Sequence, residues 1–354
     1  MRILVTGNMG YVGPGVVEQL RASYPDASVT GLDMGYFAQV LSGAESLPEC
    51  RLDVQYFGDV RRPPEDALRG VDAVVHLAAI SNDPMGSRFE TVTHDINHRA
   101  TVSLAARAKA AGASAFVFAS SCSVYGLASD APRSEDSEVA PLTAYSKSKV
   151  LAENDLCRLA SSGFKVTALR FATACGMSAR LRLDLVLNDF VAAAVASKTI
   201  RILSDGTPWR PLIHVKDMAR AIAWGIGRDG DDFLTLNAGA DDWNYQVKDL
   251  AHAVAKAIPG VETWINPDAG PDRRSYRVSF ERFRRLAPEH QPRYGLAETV
   301  TELVEGLQRM SFADADFRAS KYMRLNVLAG LLDRGLLDAD LAWAPTSVGA
   351  GCRT

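Results

Sequence analysis

The sequence lacks an excess of charge of either sign. Its 354 residues include 39 lysines and arginines against 42 aspartates and glutamates, which gives a formal net charge of −3. A nearly neutral chain has no general electrostatic attraction for nucleic acid or for an anionic membrane. We therefore expect neither as a partner. Apolar residues (47%) and charged residues (23%) occur in proportions typical of a globular protein.

Cysteines are few and long apolar runs are missing. The five cysteines stand at positions 50, 122, 157, 175 and 352, and no two have the spacing of metal ligands. No apolar run approaches the length that spans a bilayer. A strand-like run begins at residue 2, which leaves no room for a signal peptide. These absences predict a soluble, cytoplasmic protein without a metal site.

The first strand-like run leads directly into a glycine-rich turn. RILVT (2–6) is apolar and β-branched, as in a buried parallel strand, and it is followed by Gly7, Gly10 and Gly13 and an amphipathic segment. Glycines at this spacing allow a tight turn, a close approach of the backbone to a pyrophosphate, and close packing of the helix on the strand. The helix N-terminus then faces the phosphates. This pattern predicts a dinucleotide site.

An acidic residue ends the second strand-like run. SVTGLD closes on Asp33, twenty residues after Gly13. A carboxylate at this point accepts hydrogen bonds from the adenosine ribose and repels a 2′-phosphate. No arginine follows Asp33 directly. The sequence therefore predicts NAD, and not NADP, as the cofactor.

Three polar residues predict a site of hydride transfer. Ser121 follows the apolar run FVFAS (116–120), and Tyr145 and Lys149 are four residues apart in a segment with a helical pattern. Residues at this spacing share one helical face. An ammonium group beside a phenol favours the ionised form, so we expect Lys149 to lower the pKa of Tyr145. Ser121 is then expected to hold the substrate hydroxyl that Tyr145 deprotonates.

Strand-like runs alternate with helical segments up to about residue 171. This alternation predicts an α/β fold: a Rossmann-type, doubly wound parallel sheet with ligands at the carboxyl ends of its strands. Beyond that point the pattern loosens, which predicts a smaller mixed α/β substrate-binding lobe. The predicted divisions are an NAD-binding domain (1–170, with about 204–237), a substrate-binding lobe (about 171–203 and 238–330) and a flexible tail (345–354).

In this order the motifs resemble those of the extended short-chain dehydrogenase/reductase superfamily, specifically its NAD-dependent nucleotide-sugar epimerases and dehydratases. TGNMGYVG is similar to the family's glycine-rich opening, and SSCSVYG with YSKSK to its catalytic serine and tyrosine–lysine pair. The resemblance covers about residues 1–310. It implies catalytic roles for Ser121, Tyr145 and Lys149. The cofactor site that it implies comprises Gly7, Gly10, Tyr11, Val12, Gly13, Asp33, Asp59, Val60, Leu77, Ala78, Ala79, Asn97, Tyr145 and Lys149.

The resemblance also implies a nucleotide-diphosphate sugar as substrate. Arg210, in DGTPWRPLIHVKDMARAI, and Asn188, in LVLNDFV, correspond to residues that bind the substrate diphosphate in the family. Arg274 lies in PDRRSYRVSF, which resembles a substrate-binding arginine segment, and Ser121 completes the substrate set. The family further implies a homodimer formed through helices at about residues 91–111 and 145–161.

Two departures from the family pattern bear on the reaction. The 4,6-dehydratases carry acids after the catalytic serine or threonine, whereas this chain has Cys122 and Ser123. The 3,5-epimerases carry cysteine at the second of these positions. We therefore predict an NAD-dependent nucleotide-sugar 4-epimerase acting through a transient 4-keto intermediate. The alternatives are a 4-keto reductase, dehydrogenase or dehydratase of the same family and, from another class, a non-catalytic NAD-sensing regulator.

Overall fold

The computed structural model describes residues 1–126, 131–269 and 275–345. Arg274 and residues 346–354 of the predicted tail lie outside these ranges. The strands are β1 (Arg2–Thr6), β2 (Ser28–Asp33), β3 (Val54–Phe57), β4 (Ala73–His76), β5 (Ala115–Ser121), β6 (Lys165–Phe171), β7 (Thr173–Cys175), β8 (Thr199–Ile202), β9 (Trp209–His214), β10 (Phe233–Ala238), β11 (Asn244–Gln246) and β12 (Glu262–Ile265). The α-helices are α1 (Gly13–Ser23), α2 (Glu65–Leu68), α3 (Asp83–Arg88), α4 (Glu90–His94), α5 (Thr101–Ala110), α6 (Ala144–Leu159), α7 (Val186–Ser197), α8 (Val215–Gly227), α9 (Val247–Ala257), α10 (Glu281–Leu286), α11 (Leu296–Arg309) and α12 (Arg324–Asp333).

Seven strands form one parallel sheet in the order β10-β6-β5-β4-β1-β2-β3. Its central strands are apolar on both faces, and Ile3, Leu4 and Val5 of β1 are fully buried. Burial on both faces requires helices on both sides of a parallel sheet. The strand order reverses between β1 and β4, the point at which such sheets bind ligands. The predicted Rossmann-type fold is confirmed.

Two helical layers cover the sheet. On one face α1 and α8 bury Val16, Leu20 and Ile222 in a core shared with β1 and β5. On the other face α5 and α6 bury Leu104 and Leu156 against the opposite sides of the same strands. Each helix therefore contributes an apolar stripe, as expected for surface helices packed on a sheet.

Smaller sheets lie beside the main one. β7, β9 and β11 form a mixed sheet, in which β9 pairs with β7 in parallel and with β11 antiparallel, and β8 pairs with β12. A separate core joins helices α7, α9 and α11 through Leu187, Leu250 and Leu303. Strand β10 returns to the main sheet. The division of the chain into two domains stays a prediction.

The helix that the sequence predicts at about residues 91–111 is interrupted by a wider turn. Residues Asp95–Ala100 form a π-helical segment between α4 and α5. Such segments occur often at functional sites, and this one carries Asn97. Across the described ranges, no helix has both the length and the apolar character needed to cross a bilayer.

Candidate active site

A cavity of about 880 Å³ opens at the carboxyl ends of the parallel strands. It extends to both sides of the reversal in strand order, because residues that follow β1, β2, β4 and β5 all contribute to its wall. The predicted site residues that line it are Gly7, Gly10, Tyr11, Val12, Asp33, Asp59, Val60, Leu77, Ala78, Ala79, Ser121, Tyr145, Lys149 and Arg210. The described residues that line the cavity do not include Gly13, Asn97 or Asn188.

At two positions of the turn, a side chain larger than that of glycine would clash with neighbouring backbone atoms. Gly7 has a φ of +74°, and a Cβ there would lie 2.5 Å from the backbone nitrogen of Ala78. At Gly13, a Cβ would lie 2.0 Å from the carbonyl oxygen of Asn8. Gly7 therefore permits the turn to approach the loop after β4, and Gly13 permits α1 to begin directly behind the turn. Gly13 shapes the site by packing, and its contact with the cofactor stays a prediction.

Asp33 presents a carboxylate at the end of β2. It accepts hydrogen bonds from the backbone nitrogens of Met9 (3.0 Å) and Gly35 (2.7 Å). Burial raises the pKa of Asp33, and the two backbone donors offset part of this rise. The carboxylate is thus held between the glycine turn and the following loop, which is where recognition of an adenosine ribose requires it.

Asn97 supports the cofactor loop from behind. It is fully buried, and its side-chain oxygen accepts a hydrogen bond from Ile80 N (2.8 Å) while its nitrogen donates to Ile80 O (2.9 Å). Both ends of the amide are therefore bound to the loop that continues from Leu77 to Ala79. Asn97 thus fixes the backbone next to the residues that line the cavity. Its direct contact with the cofactor stays a prediction.

Ser121, Tyr145 and Lys149 meet on the same wall of the cavity. Helix α6 begins at Ala144 because Thr143 caps it: the Thr143 hydroxyl accepts a hydrogen bond from Ser146 N (3.2 Å) in a capping box. Tyr145 therefore stands in the first helical turn. A hydrogen bond joins its hydroxyl to that of Ser121 at the end of β5. This geometry brings together the pair that the sequence places 24 positions apart.

The protonation of the pair differs from the sequence-based expectation. Burial raises the pKa of Tyr145 to about 12, with the Ser121 hydrogen bond the largest opposing effect. Burial also lowers the pKa of Lys149 to about 7, which nearby Glu153 partly offsets. In the protein alone the pKa of Tyr145 is therefore raised and not lowered as expected, because burial outweighs the groups that favour the phenolate.

The two residues after Ser121 differ in where their side chains lie. Cys122 is buried, and its thiol donates to the carbonyl oxygen of Arg170 (3.1 Å), so it points away from the cavity. Burial raises the pKa of this thiol. Ser123 does line the cavity, and its hydroxyl is buried without a hydrogen-bond partner in the part of the chain that the structure describes. A thiol and a hydroxyl thus occupy the positions at which dehydratases carry acids.

The predicted diphosphate ligands have unequal positions. Arg210 lines the cavity, and its Nη1 donates to Trp209 O (2.9 Å). Asn188 is fully buried, and its side-chain nitrogen donates to the Tyr11 hydroxyl (3.1 Å) and to Arg182 O (3.0 Å). Asn188 therefore positions residues of the wall, and its contact with the substrate diphosphate stays a prediction. Arg274 lies outside the described residues.

Arg182 is a site residue that the sequence analysis missed. It lines the cavity, pairs with Asp184 (2.6 Å) and donates to the Ser81 hydroxyl (3.0 Å). The sequence signal was the alternation in RLRLD (180–184), because an extended segment turns its charged residues to one face. The two-residue spacing of Arg180 and Arg182 places both guanidinium groups on one face of an extended segment.

The position of the cavity defines the class of protein. One end is built from a glycine turn and the carboxylate of Asp33, and the other end carries a tyrosine, a serine and a lysine. The first suits a dinucleotide and the second suits proton transfer at a carbinol, so the two together define an NAD-dependent enzyme of the short-chain dehydrogenase/reductase class.

The chain belongs to the NAD dependent epimerase/dehydratase family, whose model matches residues 3–239. A UDP-glucose 4-epimerase of Mycolicibacterium smegmatis is 30% identical over 326 residues, 88% of this chain and 100% of that protein. A dTDP-glucose 4,6-dehydratase of Streptomyces griseus is also 30% identical, over 84% of this chain and 92% of its own. The structure of MoeE5 in complex with UDP-glucose and NAD superimposes with a TM-score of 0.74 at 26% identity, over 87% and 99% of the two chains.

These similarities confirm the predicted family and the predicted NAD cofactor. The protein is an enzyme of a family that acts on nucleotide sugars. An epimerase and a dehydratase are equally similar in sequence, so overall identity does not select the reaction. That choice depends on the residues of the cavity.

Proposed function

We propose that the protein is an NAD-dependent nucleotide-sugar 4-epimerase. The observation that carries this choice is the pair of residues after Ser121. Loss of water from C5 and C6 needs an acid and a base at the strand end. Cys122 is turned into the core and Ser123 offers only a hydroxyl. Interconversion at C4 needs neither acid, because Tyr145 and Ser121 suffice for it.

In the proposed mechanism, Tyr145 exchanges a proton with the C4 hydroxyl and Ser121 holds the same oxygen by a hydrogen bond. When bound, NAD⁺ supplies the hydride acceptor and a positive charge that favours the phenolate. Lys149 stays hydrogen-bonded to Ala119 O (2.7 Å), which fixes its side-chain nitrogen on the side of the phenol. With the cofactor bound, the transient 4-keto sugar would turn over in the cavity and would take the hydride back from the reduced cofactor on its other face. The reaction has no net redox change.

The substrate diphosphate is proposed to bind at Arg210, with Arg182 on the same cavity wall. Guanidinium groups suit this role, because they donate two hydrogen bonds to a phosphate in a fixed geometry. Arg274 stays a further candidate. The hydroxyl of Ser123, which has no hydrogen-bond partner among the described residues, is proposed to bind a sugar hydroxyl, which would complete its hydrogen bonding.

A homodimer in the cytoplasm remains part of the proposal. Helix α6, which the family resemblance places at the dimer interface, carries an exposed Leu151, 40% accessible, at which the interface can be tested. Light scattering of the purified protein tests this directly. Leu151→Arg should shift the mass from two chains to one, and an unshifted mass would place the interface elsewhere.

The reaction is tested by incubating the purified protein with UDP-, dTDP-, GDP- and CDP-sugars. Products are followed by chromatography and NADH by its absorbance. A C4-inverted sugar without net NADH supports the proposal. NADH formed in proportion to product would indicate a dehydrogenase, and a 4-keto-6-deoxy product would indicate a dehydratase. Consumption of a 4-keto sugar with added NADH would indicate a reductase. No turnover by an NAD-bound protein would favour the regulator.

A further inference from the structure

The last helix of the described chain covers the cofactor half of the cavity. Helix α12 lies beyond residue 239, where the match to the family model ends. Its Val327, Leu328 and Leu331 are buried in the same core as Tyr36 from the loop after Asp33. Met323, Arg324 and Leu328 belong to the cavity wall. The helix is therefore part of the site.

Two hydrogen bonds hold the chain after α12 against the same loop. The Tyr36 hydroxyl donates to the carbonyl oxygen of Leu341, and the indole nitrogen of Trp343 donates to Met34 O (2.7 Å). The Tyr36 and Trp343 rings pack with centroids 5.8 Å apart. Residues 324–343, here named the C-terminal cover, are thus fastened to the segment that continues from the ribose-binding carboxylate.

Arg324 is the polar residue that the cover places at the cavity. Its side chain is 1% exposed, its Nη2 donates to Arg180 O (2.6 Å), and its Cζ lies 4.4 Å from the centroid of the Phe37 ring. Nη1 is buried and has no hydrogen-bond partner among the described residues. A buried guanidinium with an unsatisfied donor is costly unless a ligand completes its hydrogen bonds.

The two arginines next to Arg324 each have a carboxylate partner. Arg180 is paired with Glu49 at 2.9 Å, and Arg182 is paired with Asp184 at 2.6 Å. Within the described ranges, no carboxylate forms an ion pair with Arg324. Burial and the two neighbouring arginines lower the pKa of Arg324 to about 9, which still leaves it protonated at neutral pH. The site therefore has a place for an anion.

We propose that Arg324 binds the pyrophosphate of the bound dinucleotide, so that the C-terminal cover clamps NAD in place. The guanidinium lies against Phe37, four residues after Asp33, and Tyr11 of the glycine turn is among the groups that influence it electrostatically. These are the segments that face the adenosine and the pyrophosphate in this fold. A guanidinium matches the phosphate oxygens by charge and geometry.

The clamp deepens the proposed function and rests on it, because an enzyme with no net redox change needs a cofactor that stays bound between turnovers. Release of NAD would then require Arg324 to give up its hydrogen bonds to the phosphates. We therefore expect slow exchange of NAD. An enzyme that released its cofactor in every cycle would gain nothing from this arrangement.

The test compares Arg324→Met and Arg324→Lys with a control on the same helix. Arg334→Met removes an exposed cation at the end of α12 whose Nε bonds only within the helix, to Gly330 O (3.0 Å). For each protein, calorimetry measures the affinity for NAD⁺, ADP-ribose, adenosine and, on the NAD-saturated enzyme, UDP. Stopped-flow measures the release of NADH. Thermal unfolding of each cofactor-free protein shows whether it is folded.

Arg324→Met should weaken NAD⁺ and ADP-ribose by about 10- to 100-fold, the usual effect of a lost charge-assisted hydrogen bond, and should speed NADH release. Adenosine, which has no phosphate, should bind as before. Arg324→Lys should recover part of the loss, and Arg334→Met should match the wild type. The proposal would be overturned if Arg324→Met weakened adenosine binding as much as NAD⁺ binding. It would also be overturned if Arg324→Met were unfolded while a folded Arg324→Lys bound NAD⁺ normally. Weakening confined to UDP would assign Arg324 to the substrate diphosphate.

Binding is measured without turnover, so the two proposals can fail separately. A panel of sugars without epimerisation, together with the expected loss of NAD⁺ affinity, would remove the proposed function and leave the clamp. Epimerisation by the wild type, together with normal NAD⁺ binding by Arg324→Met, would support the proposed function and remove the clamp.

Discussion

Lys149 donates a hydrogen bond from Nζ to the carbonyl oxygen of Ala119 over 2.7 Å, which fixes the lysine of helix α6 to the sheet. The same nitrogen lies 4.6 Å from the Phe118 ring centroid and 5.6 Å from that of Tyr145. The lysine is therefore held by the strand that carries Ser121. Its distance from the phenol is set by packing, because both elements are buried.

The first prediction concerns the stability of the cofactor-free protein as a function of pH. Burial lowers the pKa of Lys149 to about 7 from its ordinary value near 10.5. Between these values the unfolded chain carries a proton that the folded protein has released, so stability gains with rising pH. Lys149→Met lacks this gain. Urea unfolding of both proteins at pH 7, 8, 9 and 10 should show their difference moving in favour of the wild type. A difference that does not change with pH would mean that the pKa of Lys149 is not depressed.

The second prediction concerns the phenol. Tyr145→Phe removes the proposed acid–base group and should lower kcat by about 10²- to 10⁴-fold, with NAD affinity little changed because the ring remains. Tyr24→Phe is the control, since its hydroxyl bonds to Ala223 O (2.9 Å) between α1 and α8. That variant should keep full activity. Equal losses in both variants would indicate a general effect of removing a buried hydroxyl.

The third prediction uses two glycines of one helix. A Cβ at Gly13 would lie 2.0 Å from Asn8 O, whereas the nearest atom to a Cβ at Gly15 is 4.0 Å away. Gly13→Ala should therefore displace the glycine turn and weaken NAD by at least about tenfold, the cost of losing one well-placed hydrogen bond. Gly15→Ala should bind NAD normally and raise stability by about 0.5 to 1 kcal/mol. Calorimetry and urea unfolding measure both. Normal NAD binding by Gly13→Ala would show that the turn can move aside.

The fourth prediction concerns the buried ion pair between helix α6 and strand β6. Glu153 and Arg170 are both buried, with Arg170 Nη2 2.7 Å from Glu153 Oε2. Glu153→Gln leaves the guanidinium without a counter-charge and should cost about 3 to 5 kcal/mol in the free energy of unfolding. Glu305→Gln, on α11, breaks an exposed pair with Arg309 (3.7 Å) and should cost at most about 1 kcal/mol. Similar costs in chemical unfolding would contradict the difference in burial.

Local sequence patterns were sufficient to predict the first strands, the glycine turn and the helix that follows it. RILVT, the glycine turn and the carboxylate at Asp33 are neighbours in sequence or end consecutive strands, so strand, turn and helix follow from short-range rules. The same holds for Tyr145 and Lys149, whose spacing places them on one helical face. The positions of Asn97 and Asn188 could not be predicted in this way. Each is saturated by backbone groups or side chains that lie far away in sequence or belong to another element.

The sequence by itself determined the doubly wound sheet, the NAD cofactor and the set Ser121, Tyr145 and Lys149, because periodicity and spacing specify which residues share a face or a strand end. Only the tertiary structure decided how these groups ionise, since the pKa values of Tyr145 and Lys149 depend on burial by the whole fold. It also decided that Arg324 stands at the cavity. That contact joins the last described helix to a loop almost 300 residues earlier. Local sequence patterns do not predict contacts between residues so far apart in the chain.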